Sequence, residues 1–111
     1  MRRLRKNNTM YGRQAEELYK EKAFLLVSPD GIRCARCGCT DLRFLELNHK
    51  NGDGADLRRN GERMGRPLYR KVIVGKRKVD DLEILCRPCN HIHYLETKFK
   101  EKIPLRVVWE P

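Results

Sequence analysis

Four of the five cysteines stand in two Cys-x-x-Cys pairs, Cys34/Cys37 and Cys86/Cys89. Two thiolates at this spacing fit on one tight knuckle. Two knuckles supply the four soft ligands of a closed tetrahedral zinc site. Gly38 directly after the first pair suits such a knuckle, whose backbone N–H groups point at the sulfurs. The expected zinc is structural, with no open position for chemistry. The competing reading is four free thiols, two of them redox-active. An odd cysteine count argues against a pure disulfide framework. Cys39, the fifth, is expected to be a small buried hydrophobe.

A second set of chemistry-bearing residues lies around the second knuckle. Asn48-His49 closes an apolar segment, and Lys50-Asn51-Gly52-Asp53-Gly54 follows it. Asn90 comes directly after the last cysteine, and His91 and His93 follow. An imidazole titrates near neutral pH, so it serves as a general base or a metal ligand. His93 lies one helical turn beyond Asn90, so the two share a face. His93 is a candidate ligand or phosphate contact, against an ordinary packing role. His91 points elsewhere. Asp53 and Asp56 are candidate acids, against a role as turn residues.

These residues need elements to position them. A basic arm over 1–8 leads to a helix over roughly 10–27, capped by Asn8 or Thr9, with Leu18, Phe24, Leu25 and Leu26 as its apolar stripe. Ser28-Pro29-Asp30-Gly31 is a turn. The segment 42–47 reads as a strand leading into Asn48-His49. A long loop over 50–65 precedes a short helix from Pro67 to Val74. Leu82-Glu83-Ile84-Leu85 is a second strand delivering Cys86, and a helix starts near Pro88. Residues 105–109 form a last strand or an extended tail. The fold class is α+β. The organisation is an arm and helix over 1–31, a zinc-bound domain over 32–99 and a tail over 100–111.

Composition narrows the partners. The chain has 111 residues and a net charge of +10. A chain this small builds only a modest core, and a metal staple compensates for that. No apolar run approaches the roughly 18–20 residues that span a membrane. No apolar signal-peptide core follows the basic start. A soluble protein in the cytoplasm is therefore expected. The positive charge points to nucleic acid, whose phosphates release counterions when neutralised. Residues 50–78 hold ten basic side chains against three acidic ones. Arg58, Arg59, Arg63, Arg66, Arg70, Lys71, Lys76, Arg77 and Lys78 are the expected backbone clamp, against a merely solvated face. Tyr69 is expected in the core rather than stacked on a base.

Three pieces in this order carry a resemblance: Leu45-Glu46-Leu47-Asn48-His49, Asn51-Gly52-Asp53-Gly54, and Leu82-Glu83-Ile84-Leu85-Cys86-Arg87-Pro88-Cys89-Asn90. Over roughly 32–97 the chain resembles the HNH, or ββα-metal, endonucleases, in the zinc-bearing branch related to phage recombination endonucleases. The resemblance implies a metal-dependent hydrolase of DNA phosphodiester bonds with His49 as general base. It implies that Asn48 and Asn90 bind a catalytic Mg²⁺ or Mn²⁺, with His93 a further candidate. Two positions depart from the family pattern. Asn48 stands where the family usually has Asp, which removes a charge that Mg²⁺ prefers. Asp81 stands where it has the middle Asn.

The partner so implied is duplex or branched DNA, with no membrane role. Cutting both strands takes two sites, which a homodimer would supply. The protein could be virus-encoded and act in a host cell. Two other readings stay open: a non-catalytic zinc-stapled nucleic-acid-binding module, and an accessory protein that acts with a second chain.

Overall fold

The computed structural model describes the backbone of residues 2–51, 61–62 and 64–111, and their side chains from residue 14 onward. Helix α1 spans Arg2–Val27, strand β1 Leu45–His49, helix α2 Arg66–Ile73, strand β2 Leu82–Cys86 and helix α3 Arg87–Phe99. A single 3₁₀ turn, Leu42–Phe44, leads into β1. The fold is α+β, with three helices and a two-stranded antiparallel sheet among the described residues.

Helix α1 begins well before the expected start, and residues 2–8 are helical rather than an arm. Arg, Leu and Lys are good helix formers, and no proline interrupts the segment. The buried face of α1 differs from the expected stripe. Ala23 and Phe24 are fully buried, whereas Leu18, Leu25 and Leu26 are exposed. Helix α2 is the main partner of α1. Phe24 packs edge-on against Tyr69 with ring centroids 5.7 Å apart. Burial pushes the Tyr69 hydroxyl up to about 12, with nearby Glu16 and Glu46 adding to it. Lys20 donates to the Leu42 carbonyl at 2.6 Å and anchors α1 to the 3₁₀ turn.

The first strand starts later than expected. Asp41 caps the 3₁₀ turn by accepting from the Arg43 N–H at 3.0 Å, which diverts 42–44 from extended structure. The strand then takes in Asn48 and His49. Helix α2 starts behind Gly65, whose φ of +75° suits glycine, with Pro67 in its first turn. Leu68, Tyr69 and Val72 form its buried face. The tail over 100–111 is neither helix nor strand, and Val107 and Trp109 pack partly against the core.

The register of the hairpin organises everything else. Leu45 pairs with Cys86, Leu47 with Ile84, Asn48 with Glu83 and His49 with Leu82. Side chains alternate along a strand, so Glu46, Asn48, Glu83 and Leu85 share one face. Leu45, Leu47, His49, Leu82, Ile84 and Cys86 share the other. Asn48 and His49 are the buried polar residues of the hairpin.

Candidate metal centre and adjoining polar cluster

The first knuckle forms as its glycine requires. Gly38 has a φ of +82° and donates its N–H to the Cys34 carbonyl at 3.0 Å. The Cys34 N–H donates to the Cys39 carbonyl at 2.8 Å. The Ala35 N–H donates to the Ile84 carbonyl at 2.8 Å, docking the knuckle on β2. The second knuckle sits where β2 becomes α3: Cys86 is the N-cap and Cys89 lies in the first turn. A helix N-terminus favours negative charge, here that of thiolates.

The four sulfurs of Cys34, Cys37, Cys86 and Cys89 all lie within 4.8 Å of one another. Cys37 Sγ and Cys86 Sγ are 3.6 Å apart. Zn–S bonds of about 2.3 Å in a tetrahedron require S···S separations of about 3.8 Å, so the cluster fits that ion. Burial raises the Cys34 thiol, but the N–H groups of Cys37, Cys86 and Arg36 outweigh it and bring it down to about 7. Burial pushes Cys86 up to about 11, and Cys89 higher still. Burial thus opposes ionisation of Cys86 and Cys89, and a bound dication is what offsets that cost. Cys39 is buried and outside the cluster, as a small apolar residue would be.

Beside this centre, α3 presents polar side chains to the even-numbered residues of β1. Asn90 Nδ2 donates to Glu46 Oε1 at 2.7 Å. Asn48 Nδ2 donates to Glu83 Oε1 at 3.0 Å and lies 3.4 Å from His93 Nδ1. Of the expected cation ligands, Asn48 and His93 are thus brought together, while the Asn90 amide is held on Glu46. His91 stacks on Tyr94 with ring centroids 6.1 Å apart, on the exposed side of the helix.

His49 belongs to a different constellation. Its Nε2 lies 2.8 Å from Glu62 Oε2. Glu62 Oε1 accepts from Arg77 Nε at 2.6 Å, and Arg77 binds both oxygens of Asp81 at 2.7 and 2.8 Å. Burial raises the Glu62 carboxyl, but Arg77 and His49 outweigh it and hold it below the usual range. Arg77 likewise holds Asp81 low. The Asp81 carbonyl also accepts from the Lys50 N–H at 2.8 Å, continuing the hairpin past His49. The departure at Asp81 thus has a structural role, as the bidentate partner of Arg77.

Arg77, expected on the backbone clamp, has internal partners on every side and is only 18% exposed. Three carboxylate bonds and one to the Lys78 carbonyl occupy four of its five N–H donors. Arg70, Lys71, Lys76 and Lys78 are exposed or half-exposed, and Arg66 is half-buried. The guanidinium groups of Arg66 and Arg70 lie over the Tyr19 ring at 5.9 and 5.6 Å. Arg58, Arg59, Arg63, Asp53 and Asp56 lie outside the described residues.

Sequence reasoning passed over Glu46, Glu62 and Glu83. Two of them carried a signal, since Glu46 is two residues from Asn48, and Glu83 is the polar interruption of an apolar strand. Glu62 carried none, because only the tertiary structure brings it to His49. No protein-family model matches the chain, and neither a curated protein nor a solved structure is significantly similar to it. Among the described residues no helix is long and apolar enough to cross a membrane.

Proposed function

We propose that this chain is a zinc-stapled, HNH-type endonuclease that hydrolyses DNA phosphodiester bonds. The observation that carries the reading is the meeting of β1 and α3. The hairpin ends in Asn48-His49, the following helix brings His93 to 3.4 Å from Asn48, and the cysteine cluster ties the two elements together. The closeness of Asn48 to His93 supports the reading, with His49 on the opposite face of the same hairpin.

His49 is the general base. Glu62 is held ionised at neutral pH, 2.8 Å from Nε2; in the tautomer that donates Nε2–H to it, the Nδ1 lone pair takes the proton from water. The carboxylate also stabilises the imidazolium that results. Asn48 and His93 would hold the divalent cation, whose chemistry is to stabilise charge developing on the phosphate. The four cysteines hold structural zinc and take no part in the reaction. Arg70, Lys71, Lys76 and Lys78 bind the DNA backbone.

The test is nicking of supercoiled plasmid with Mg²⁺, Mn²⁺ or EDTA, beside His49→Ala. Cation-dependent cutting that falls by roughly 10²-fold or more in the variant, with zinc content unchanged, supports the reading. A variant that cuts at the wild-type rate sinks it.

One observation favours a second reading, a non-catalytic nucleic-acid-binding module. The His49 side chain is only 5% exposed and Glu62 covers its Nε2. That module would bind DNA in a salt-dependent way and cut in no divalent metal.

A further inference from the structure

Asn48 and Glu83 are direct cross-strand partners. Asn48 Nδ2 donates to Glu83 Oε1 at 3.0 Å, and the same nitrogen lies 3.4 Å from His93 Nδ1. Glu83 Oε1 and His93 Nδ1, from different elements, thus converge on one polar group of a buried side chain. A small cation is the other kind of occupant that such a point takes. The two ends of a carboxamide are nearly isosteric, so half a turn of the Asn48 amide exchanges its NH₂ for an oxygen ligand. The backbone need not move. The strand ladder holds Asn48 and Glu83, and Cys89 anchors α3 one turn before His93.

We propose that Asn48, Glu83 and His93 form a divalent-cation site in which Glu83 supplies the negative charge that asparagine at position 48 lacks. The set offers a carboxylate oxygen, an amide oxygen and an imidazole nitrogen. Two oxygens suit Mg²⁺ and Mn²⁺, and the imidazole shifts the preference toward Mn²⁺. Asn90 lies outside the set because its amide meets Glu46 rather than Asn48, Glu83 or His93. The cation's role in cleavage rests on the nuclease reading, whereas its binding does not.

The experiment titrates the zinc-loaded, full-length chain with Mn²⁺ and follows loss of the free-ion electron paramagnetic resonance signal. One Mn²⁺ per chain is expected beyond the zinc. Glu83→Gln weakens it by about tenfold or more, since it removes the only charged ligand. Glu101→Gln removes an equal charge from an exposed position and binds as wild type does. Zinc content and circular dichroism check each fold. If Glu83→Gln misfolds, Glu83→Asp keeps the charge on a shorter arm, and its Mn²⁺ affinity still falls. Equal binding by wild type and the Glu83 variant that folds, or no Mn²⁺ binding at millimolar concentration, overturns the site. Plasmid cleavage run in parallel separates the two claims. Glu83-dependent Mn²⁺ binding without cutting keeps the site and sinks the nuclease. Mn²⁺-dependent cutting with Glu83-independent binding does the reverse.

Discussion

Asn48 and His49 are neighbours in the chain and leave β1 on opposite faces. Asn48 bonds to Glu83 across the hairpin, and His49 reaches Glu62 from the loop at 2.8 Å. A motif that reads as one unit is therefore divided between two polar clusters. One lies under α3. The other runs from His49 through Glu62 and Arg77 to Asp81. Four consequences can be measured.

The cysteine cluster should hold one zinc ion per chain. Cys37→Ser should lose it and unfold the hairpin and α3, because the metal's binding free energy is folding free energy in a domain this small. Cys39→Ser should keep the full zinc content, since Cys39 stands outside the cluster. Metal analysis with circular dichroism checks both. Equal zinc loss in the two variants would show that the ligand set is misassigned.

Acid should weaken the fold through Glu62 and Asp81. Both carboxyls are held below their ordinary values of 4.5 and 3.8. The folded state thus binds their protons less readily than the unfolded chain does. Their contribution is complete above about pH 4.5 and drains away as pH falls through the lowered folded values. Arg77→Ala removes the shared cause. It should cost stability at neutral pH, and the gap to wild type should narrow as pH falls through the lowered folded values. Urea unfolding at a series of pH values reads this directly, and a pH-independent gap would count against the network.

Basic residues should separate into two kinds. Lys71→Ala with Lys76→Ala should weaken DNA binding and flatten its salt dependence. The slope of log K against log salt falls by about 0.9 for each phosphate that is no longer neutralised. Arg77→Ala should leave the slope unchanged and act on stability, because its guanidinium is already bound by Glu62 and Asp81. Fluorescence anisotropy over a range of salt concentrations distinguishes the two, and a slope lowered by Arg77→Ala would restore that residue to the clamp.

The face of α1 is open to a simple comparison. Phe24→Ala removes a fully buried ring from its packing on Tyr69 and should cost about 3–5 kcal/mol. Leu26→Ala trims an exposed side chain and should stay within about 0.5 kcal/mol. Thermal unfolding of the two variants checks the assignment. A large loss at Leu26 would mean that α1 buries a different stripe.

Much of the local structure was legible in the residues. Pro67 after Gly65, and Pro88 between two cysteines, mark helix starts because proline presets the backbone and lacks an N–H. The paired cysteines announced a metal cluster, since that spacing suits two sulfurs on one knuckle. Boundaries were less legible. Asp41 turned residues 42–44 into a 3₁₀ turn, a choice made by one side-chain hydrogen bond. The stripe on α1 was misjudged because Leu18, Leu25 and Leu26 are as apolar as Phe24. Only the approach of α2 decided which side is covered.

What the sequence determined by itself is the α+β class, the zinc-ready cysteines and the basic character, all properties of residue type and short spacing. The tertiary structure decided which polar groups meet. The strand register set Glu83 against Asn48. The tertiary structure also set Glu62 against His49, and Arg77 against Glu62. These pairings span 35, 13 and, for Arg77 with Glu62, 15 residues. Pairings at such separations depend on how the chain closes on itself, which no local pattern of residues encodes.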